Sequence, residues 1–394
     1  MKSVRIYCLI LSSWIIQIIA PIPASAYDWI PTDTDPRSLS MGGAWLATGR
    51  GSGLASGNPA LYAWQRHHLF SVAPVVTADR IRNEDVSTGD VTKNTPSAVL
   101  NLHHLGVVIP TVSRDHPDTT GAIGIQYQPM FEPGYAESRE YVSGGPHSGS
   151  LGLGVRVYKG VSVGAGARLT FGSEKSTSSD VSTDYRDYLF TLGMAIPFEQ
   201  VPLRLGLVCH LPHTYSINDG VTEMHFPVSW GVGLGWTPAP GILISNDIKY
   251  HLSRGKKIYT HDGKYSQPLV EDDTNVWEYR VGIELVRSIK KFDIAFRSGM
   301  CLLPTYLSEA YVETPYLTVD LQRDKYELGW SCGVGFSTER SSFDVTYYER
   351  ISSTDAKVAI SFPELGLYES VHEIQDIHSF VILVGLTQRI SFLK

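Results

Sequence analysis

From residue 66 to residue 392, apolar residues alternate with small or polar ones in one segment after another, and this rhythm constrains the fold of the 394-residue chain more than any other feature. Successive side chains of a strand point to opposite faces. Alternation over about ten residues therefore builds a wall with one apolar and one polar side, the repeating unit of a transmembrane barrel. The segments are 66–78, 97–109, 119–131, 147–158, 161–172, 185–198, 202–213, 224–237, 241–252, 275–287, 291–303, 324–337, 341–351 and 378–392. That makes fourteen, an even number, as bacterial single-chain barrels use. The expected fold class is all-β, a transmembrane antiparallel β-barrel of about 14 strands.

The connections sort by parity as well. After even-numbered strands they are mostly tight: Lys159-Gly160, Glu199-Gln200-Val201, Pro238-Ala239-Pro240, Ser288-Ile289-Lys290 and Thr338-Glu339-Arg340. After odd-numbered strands they are longer and polar, as in 79–96, 132–146, 253–274, 304–323 and 352–377. Short turns on one side and long loops on the other are a barrel's arrangement; a soluble sandwich has no reason to sort its loops. Past the N-terminus, no apolar run reaches the ~20 residues that a spanning helix needs.

Face by face, the strands agree. Val228, Trp230, Val232, Leu234 and Trp236 oppose Gly231, Gly233 and Gly235, and Phe292, Ile294, Phe296 and Met300 oppose Asp293, Arg297 and Gly299. The polar face collects Arg156, Arg168, Arg204, Asp247, Lys249, Glu278, Arg280, Glu284, Asp293, Arg297, Glu327 and Asp344. Charges held away from bulk water are generally paired, so these are expected to pair with one another and with whatever fills the lumen. Trp236, Tyr250, Trp277, Trp330 and Tyr347, near strand ends, fit interfacial girdles.

A filling segment is on offer at the N-terminus. Lys2 and Arg5 precede the apolar stretch Ile6 to Ile19, and Ala24-Ser25-Ala26 supplies small residues for cleavage, the pattern of a secretory signal peptide. Residues 36–60 that follow are rich in Gly and Ala, with neither helical nor strand periodicity. Irregular backbone at membrane depth is tolerated where protein buries it, so this stretch reads as a plug. The expected division is 1–26 signal peptide, 27–64 plug and 65–394 barrel.

Arg37, then Met41-Gly42-Gly43-Ala44, then Asn58-Pro59-Ala60 stand in order between an export signal and a strand series. This set resembles the N-terminal hatch of FadL-type outer-membrane proteins, the long-chain fatty acid and hydrocarbon transporters. The rhythms LGLGVRVYKGVSVGAGARL and FPVSWGVGLGWTPAPGILISNDIKY look like hairpins of that family. PorV-like subunits of a protein-secretion system share much of the set. The resemblance implies a fourteen-strand barrel in the bacterial outer membrane, in contact with its lipid, that passively takes up hydrophobic small molecules. Arg37, Met41, Gly42, Gly43, Ala44, Asn58, Pro59 and Ala60 would gate it, and cargo would leave sideways through the wall. The alternative is a PorV-like scaffold or shuttle that binds secreted proteins. A monomer is expected.

Glycine weakens or bulges a strand and proline removes a ladder donor, which places a wall opening at Gly121, Gly124 and Pro129 of the third strand. The loops 173–184 and 214–223 are too short for the family's external capture groove. That role passes to the larger loops, with Leu303, Tyr306, Leu307, Tyr311, Tyr316 and Leu317 as apolar contributors.

Other chemistry finds little support in the residues. A net charge of −7 does not suit nucleic acid, whose binding domains are strongly basic. Neighbours on a strand face opposite sides, so the doublets His67-His68 and His103-His104 should not chelate one ion, and His210 with His213 shows no completing Cys or carboxylate. Gly51 to Gly57 lacks the Lys-Ser/Thr ending of a phosphate loop. Cys209, Cys301 and Cys332 read as small wall residues on separate strands. No spacing singles out a catalytic triad. Neither an enzyme, a metal nor a cofactor is expected.

Overall fold

The computed structural model describes residues 35–86, 88–93, 98–112, 120–129, 142–176, 182–198, 200–217, 222–252, 256–262, 265–272, 275–304, 309–313, 317–323, 326–362 and 367–390. The expected signal segment lies outside them. The chain forms a closed barrel of fourteen antiparallel strands. In order these are β1 (His68–Asp85), β2 (Ala98–Val112), β3 (Thr120–Pro129), β4 (Val142–Tyr158), β5 (Val161–Ser176) and β6 (Ser182–Pro197). Next come β7 (Leu203–His210, His213–Ile217), β8 (Thr222–Phe226, Ser229–Ala239), β9 (Ile242–His251, Lys256–Asp262) and β10 (Tyr265–Asp272, Val276–Ile289). The last four are β11 (Phe292–Pro304, Glu309–Glu313), β12 (Leu317–Arg323, Tyr326–Ser337), β13 (Ser341–Phe362) and β14 (Leu367–Ile390). Each pairs with its sequence neighbours, and β1 closes the ring against β14 from His68↔Ile390 to Asp85↔Glu373.

The strands outrun the sequence boundaries on the long-loop side. The stretches 253–274, 304–323 and 352–377, expected as loops, are largely paired strand, and β13 and β14 reach 22 and 24 residues. A bilayer needs only 9–11 residues of tilted strand. Beyond it both faces are wet, so period-2 hydropathy fades while hydrogen-bonded pairing continues.

The two faces separate as their chemistry requires. Trp230, Val232, Leu234 and Trp236 are exposed outward, while Gly231, Gly233 and Gly235 are buried inward. Trp230, Tyr250 and Trp277 stand in one cross-strand row, with the Tyr250 and Trp277 rings 4.6 Å apart. Further round, Trp330 lies 5.1 Å from Tyr347 and donates from Nε1 to Glu349 Oε2 at 2.9 Å. Amphipathic rings of this kind suit the bilayer interface.

The apolar core is inside the ring. One cluster joins Trp45, Leu54, Leu61 and Tyr62 to Val108 and Ala122 of the wall, and a second joins Leu39 to Val75, Cys301, Leu303, Tyr348 and Leu383.

Candidate functional site

Residues 35–64 lie against the inner face. Asp35 caps a single helical turn, Pro36–Leu39, its Oδ1 accepting from Ser38 N at 2.8 Å, and Pro36 suits the first helical position. The turn stops at Gly42 and Gly43, both at positive φ (69° and 74°), a conformation that favours glycine. Two 3-10 turns follow, Gly53–Ala55 and Pro59–Trp64. Nearly every side chain between them is buried.

Glycine on both partners brings backbone onto backbone. A Cβ on Gly42 would strike the Met300 carbonyl oxygen of β11, and one on Gly299 would overlap the Met41 backbone. Gly42 N also donates to Ser331 Oγ at 2.8 Å.

Charged and polar wall residues hold the segment. Arg37 meets Glu284 of β10 fork to fork, Nε to Oε2 at 2.8 Å and Nη2 to Oε1 at 2.7 Å. The same Oε2 accepts from Arg297 Nε at 2.6 Å, and Arg297 Nη1 reaches Asp344 Oδ1 at 2.6 Å. Burial works against the Arg37 cation, but the Glu284 carboxylate outweighs it and raises the guanidinium above its usual range. Burial pushes the Asp35 carboxyl up, opposed by the Ser38 N–H and the Arg37 charge. Further along, Asp247 of β9 accepts from the backbone of Trp45 and Leu46 at 2.6 and 2.9 Å. Thr48 Oγ1 meets Ser245 Oγ at 3.1 Å, and Thr346 Oγ1 donates to Pro36 O at 2.6 Å.

Asn58 fastens the other end. Its Oδ1 accepts from Ala60 N at 3.2 Å, capping the 3-10 turn, while Nδ2 donates to Leu46 O at 2.7 Å and to Met194 O of β6 at 3.1 Å. The Tyr62 hydroxyl donates to Ser52 O. Arg37, Met41, Gly42 and Gly43 thus meet β10, β11 and β12 at one end of the inner segment, Asn58, Pro59 and Ala60 meet β4, β5 and β6 at the other, and Ala44 is buried. What the sequence did not reveal is which inward carboxylates receive them. Parity had put Glu284 and Asp247 on the right face; only ring closure selects them as partners.

The third strand behaves unevenly. Gly121 pairs with Thr111 and Val155, and Gly124 with Val108 and Gly152, inside an unbroken ladder. A Cβ on Gly124 would collide with the Tyr62 ring, so this glycine seats the inner segment. Pro129 differs. The β2–β3 ladder ends at Leu105↔Tyr127, whereas β1–β2 pairing runs on to Ala78↔Ala98 and β3–β4 pairing to Pro129↔His147. Past Tyr127 the described parts of β2 and β3 are paired on their far sides only.

Two expectations about histidines need correcting. A bulge opposite Ala73 and Pro74 inserts His103 into β2 as an extra residue, so both rings of the doublet are buried, 5.7 Å apart. Strict alternation fails at that point. His213 does have a carboxylate nearby, Asp187 Oδ1 at 3.9 Å, brought across by β6. Among the described residues no three His, Cys, Asp or Glu come together as a metal site.

Elsewhere the inner face is ion-paired: Arg168 with Asp187 at 3.6 Å, Lys249 with Glu278 at 3.4 Å, Arg350 with Glu327 at 3.0 Å. Of the residues expected to capture ligand, Leu303 is buried in the core. Tyr306, Leu307 and Tyr316 lie outside the described residues, and only the backbone of Tyr311 and Leu317 is described. A mainly apolar niche of about 490 Å³ opens instead where β7, β8 and β9 break, with Pro212, Phe226, Pro227, Val228 and Leu252 on its walls beside the polar His213, Thr214 and His225. The His213 and Phe226 rings stack there at 4.9 Å.

No protein-family model and no curated protein matches the sequence. Solved structures do share the fold. A Pseudomonas aeruginosa FadL homologue superposes with a TM-score of 0.62 at 12% identity, over 91% of this chain and 98% of its own. The P. putida toluene transporter TodX gives 0.59 at 13% identity, over 90% and 98%. The Ralstonia pickettii toluene transporter TbuX gives 0.55 at 12% identity, over 91% and 99%. The chain has the fold of FadL-type outer-membrane barrels.

Proposed function

We propose that the protein is an outer-membrane channel for passive uptake of hydrophobic small molecules, long-chain fatty acids or hydrocarbons among them, with residues 27–64 as its hatch. The observation that carries the reading is the fastening of the inner segment, whose helical turn is held by the Arg37–Glu284 fork and whose backbone at Trp45 and Leu46 is held by Asp247. In this reading the segment is released when these polar contacts break together, giving a seated and a released state.

Cargo enters at the apolar niche around Phe226, at the long-loop end, and leaves past Pro129, where β2 and β3 part. Burying an apolar chain gains ~0.8 kcal/mol per CH₂, so a sideways exit into lipid avoids a crossing of water. No energy coupling is required, because the concentration gradient drives the movement. What supports this cargo class is the fold shared with a FadL homologue and with two toluene transporters.

One observation favours a second reading, a PorV-like scaffold that binds secreted proteins. The described inner face away from the hatch carries buried ion pairs in place of an apolar lining.

Proteoliposomes separate the two. Thr48→Cys with Ser245→Cys tethers hatch to wall, since the two hydroxyl oxygens lie 3.1 Å apart. Saturable uptake of labelled toluene or oleate that stops on oxidation and returns on reduction supports the gated channel. A folded wild-type barrel that carries neither ligand overturns it and leaves the scaffold.

A further inference from the structure

The short-turn mouth of the barrel holds a cavity of about 750 Å³ between the hatch and the ends of β1, β4, β6, β7 and β10 to β14. Eight arginine or lysine side chains line it against four carboxylates, in a chain whose net charge is −7. The carboxylates are accounted for within the wall and hatch. Glu284 and Asp344 serve Arg37 and Arg297, Asp35 caps the helical turn, and Asp293 remains as the one acidic group facing the surplus. Left over are Arg50, Arg66, Arg156, Lys159, Arg204 and Arg389.

These cations are spread in sequence but gathered in space by ring closure. Arg204 lies 5.4 Å from the Trp64 ring centroid, Lys159 lies 5.2 Å from that of Tyr158, and Arg389 Nη1 donates to Glu339 O at 2.9 Å. None of those contacts neutralises charge. Arg156 Nε is buried and has no hydrogen-bond partner among the described residues. Leaving a buried charged donor unmade is costly, and like charges in one concavity raise the local potential by several kT. Both costs fall if an anion sits in the mouth. Guanidinium forks match the oxygens of phosphate two at a time.

We propose that this mouth binds a phosphate-class oxyanion, either a soluble phosphate or the headgroup of an anionic phospholipid. The site is distinct from the apolar niche and does not depend on what the barrel carries.

Binding can be read in non-ionic detergent with the full chain, with no transport step involved. A barrel that carries no hydrocarbon therefore leaves this assay intact. Calorimetry at fixed ionic strength compares inorganic phosphate, pyrophosphate and monomeric dihexanoyl phosphatidylglycerol with chloride. Saturable binding of pyrophosphate, weakened about tenfold by Arg156→Gln and further by Arg204→Gln, is the expected result. Binding of phosphate and pyrophosphate assigns the soluble source; binding of the phospholipid alone assigns the headgroup. If all three behave as chloride does, or if Arg156→Gln and Arg204→Gln bind as the wild type does while their circular dichroism shows an intact barrel, the proposal is overturned.

Discussion

Arg37 and Glu284 stand 247 residues apart in the chain and join the inner segment to β10 by two parallel hydrogen bonds of 2.7 and 2.8 Å. Both side chains are largely buried, 13% and 8% exposed. Removing one partner of a buried pair strands the other charge, at about 3–5 kcal/mol. Arg37→Met should cost toward the lower end, because Glu284 keeps Arg297. The loss should be local. Hydrogen exchange over 36–64 should quicken, while the ladders of β5 and β6 keep their protection. Equal loosening of inner segment and wall would mean that the two are one cooperative unit.

A pair of alanine substitutions tests the backbone seat. At Gly299 a methyl group would overlap Met41, whereas at Gly149 of β4 nothing lies within 4 Å. Overpacking costs about 1–3 kcal/mol. Gly299→Ala should therefore lower the thermal midpoint of the folded protein and Gly149→Ala should leave it nearly unchanged. Both glycines occur in strands of the same kind, so strand propensity alone predicts equal effects. Equal midpoints would show that the seat relaxes.

Asn58 offers a test of hydrogen-bond direction. Asn58→Ala loses the cap, worth about 0.5–2 kcal/mol, and frees two backbone carbonyls. Asn58→Asp keeps the capping oxygen but sets a second acceptor against Leu46 O and Met194 O, where Nδ2 now donates. Burying a charge without a partner costs more than losing a neutral bond. Aspartate should thus be the worse substitute in urea or thermal unfolding, despite being the closer in shape. An aspartate as stable as asparagine would show that the amide is oriented the other way.

The barrel was legible because lipid enforces it. Where Trp230, Val232, Leu234 and Trp236 meet the bilayer, any break in alternation exposes a polar side chain to hydrocarbon, so the pattern survives in the sequence. Past the bilayer that pressure ends, which is why 352–377 read as loop although β13 and β14 pair through it. The inner segment drew attention through resemblance, its wall partners much less so. Glu284 and Asp344 announced their face but not their partners, since neither parity nor spacing encodes which strands closure brings beneath Arg37. His103 shows the opposite failure. One extra residue in β2 turns both rings of the doublet inward, and a bulge has no signature in hydropathy alone.

The niche between β7, β8 and β9 carries the remaining prediction. Phe226 supplies its flat apolar wall, stacked 4.9 Å from His213. If cargo is captured there, Phe226→Ala removes contact area worth about 25 cal/mol per Å² buried, and an aromatic partner contributes about 0.5–1.5 kcal/mol beyond that. The concentration of labelled toluene giving half-maximal uptake should rise about tenfold, while the maximal rate should hold if release of the inner segment, further on, is what limits it. Phe226→Leu should recover much of the loss, because it restores apolar volume without the ring. A fall in maximal rate at unchanged half-saturation would instead place Phe226 on the route through the barrel, and capture would have to lie elsewhere.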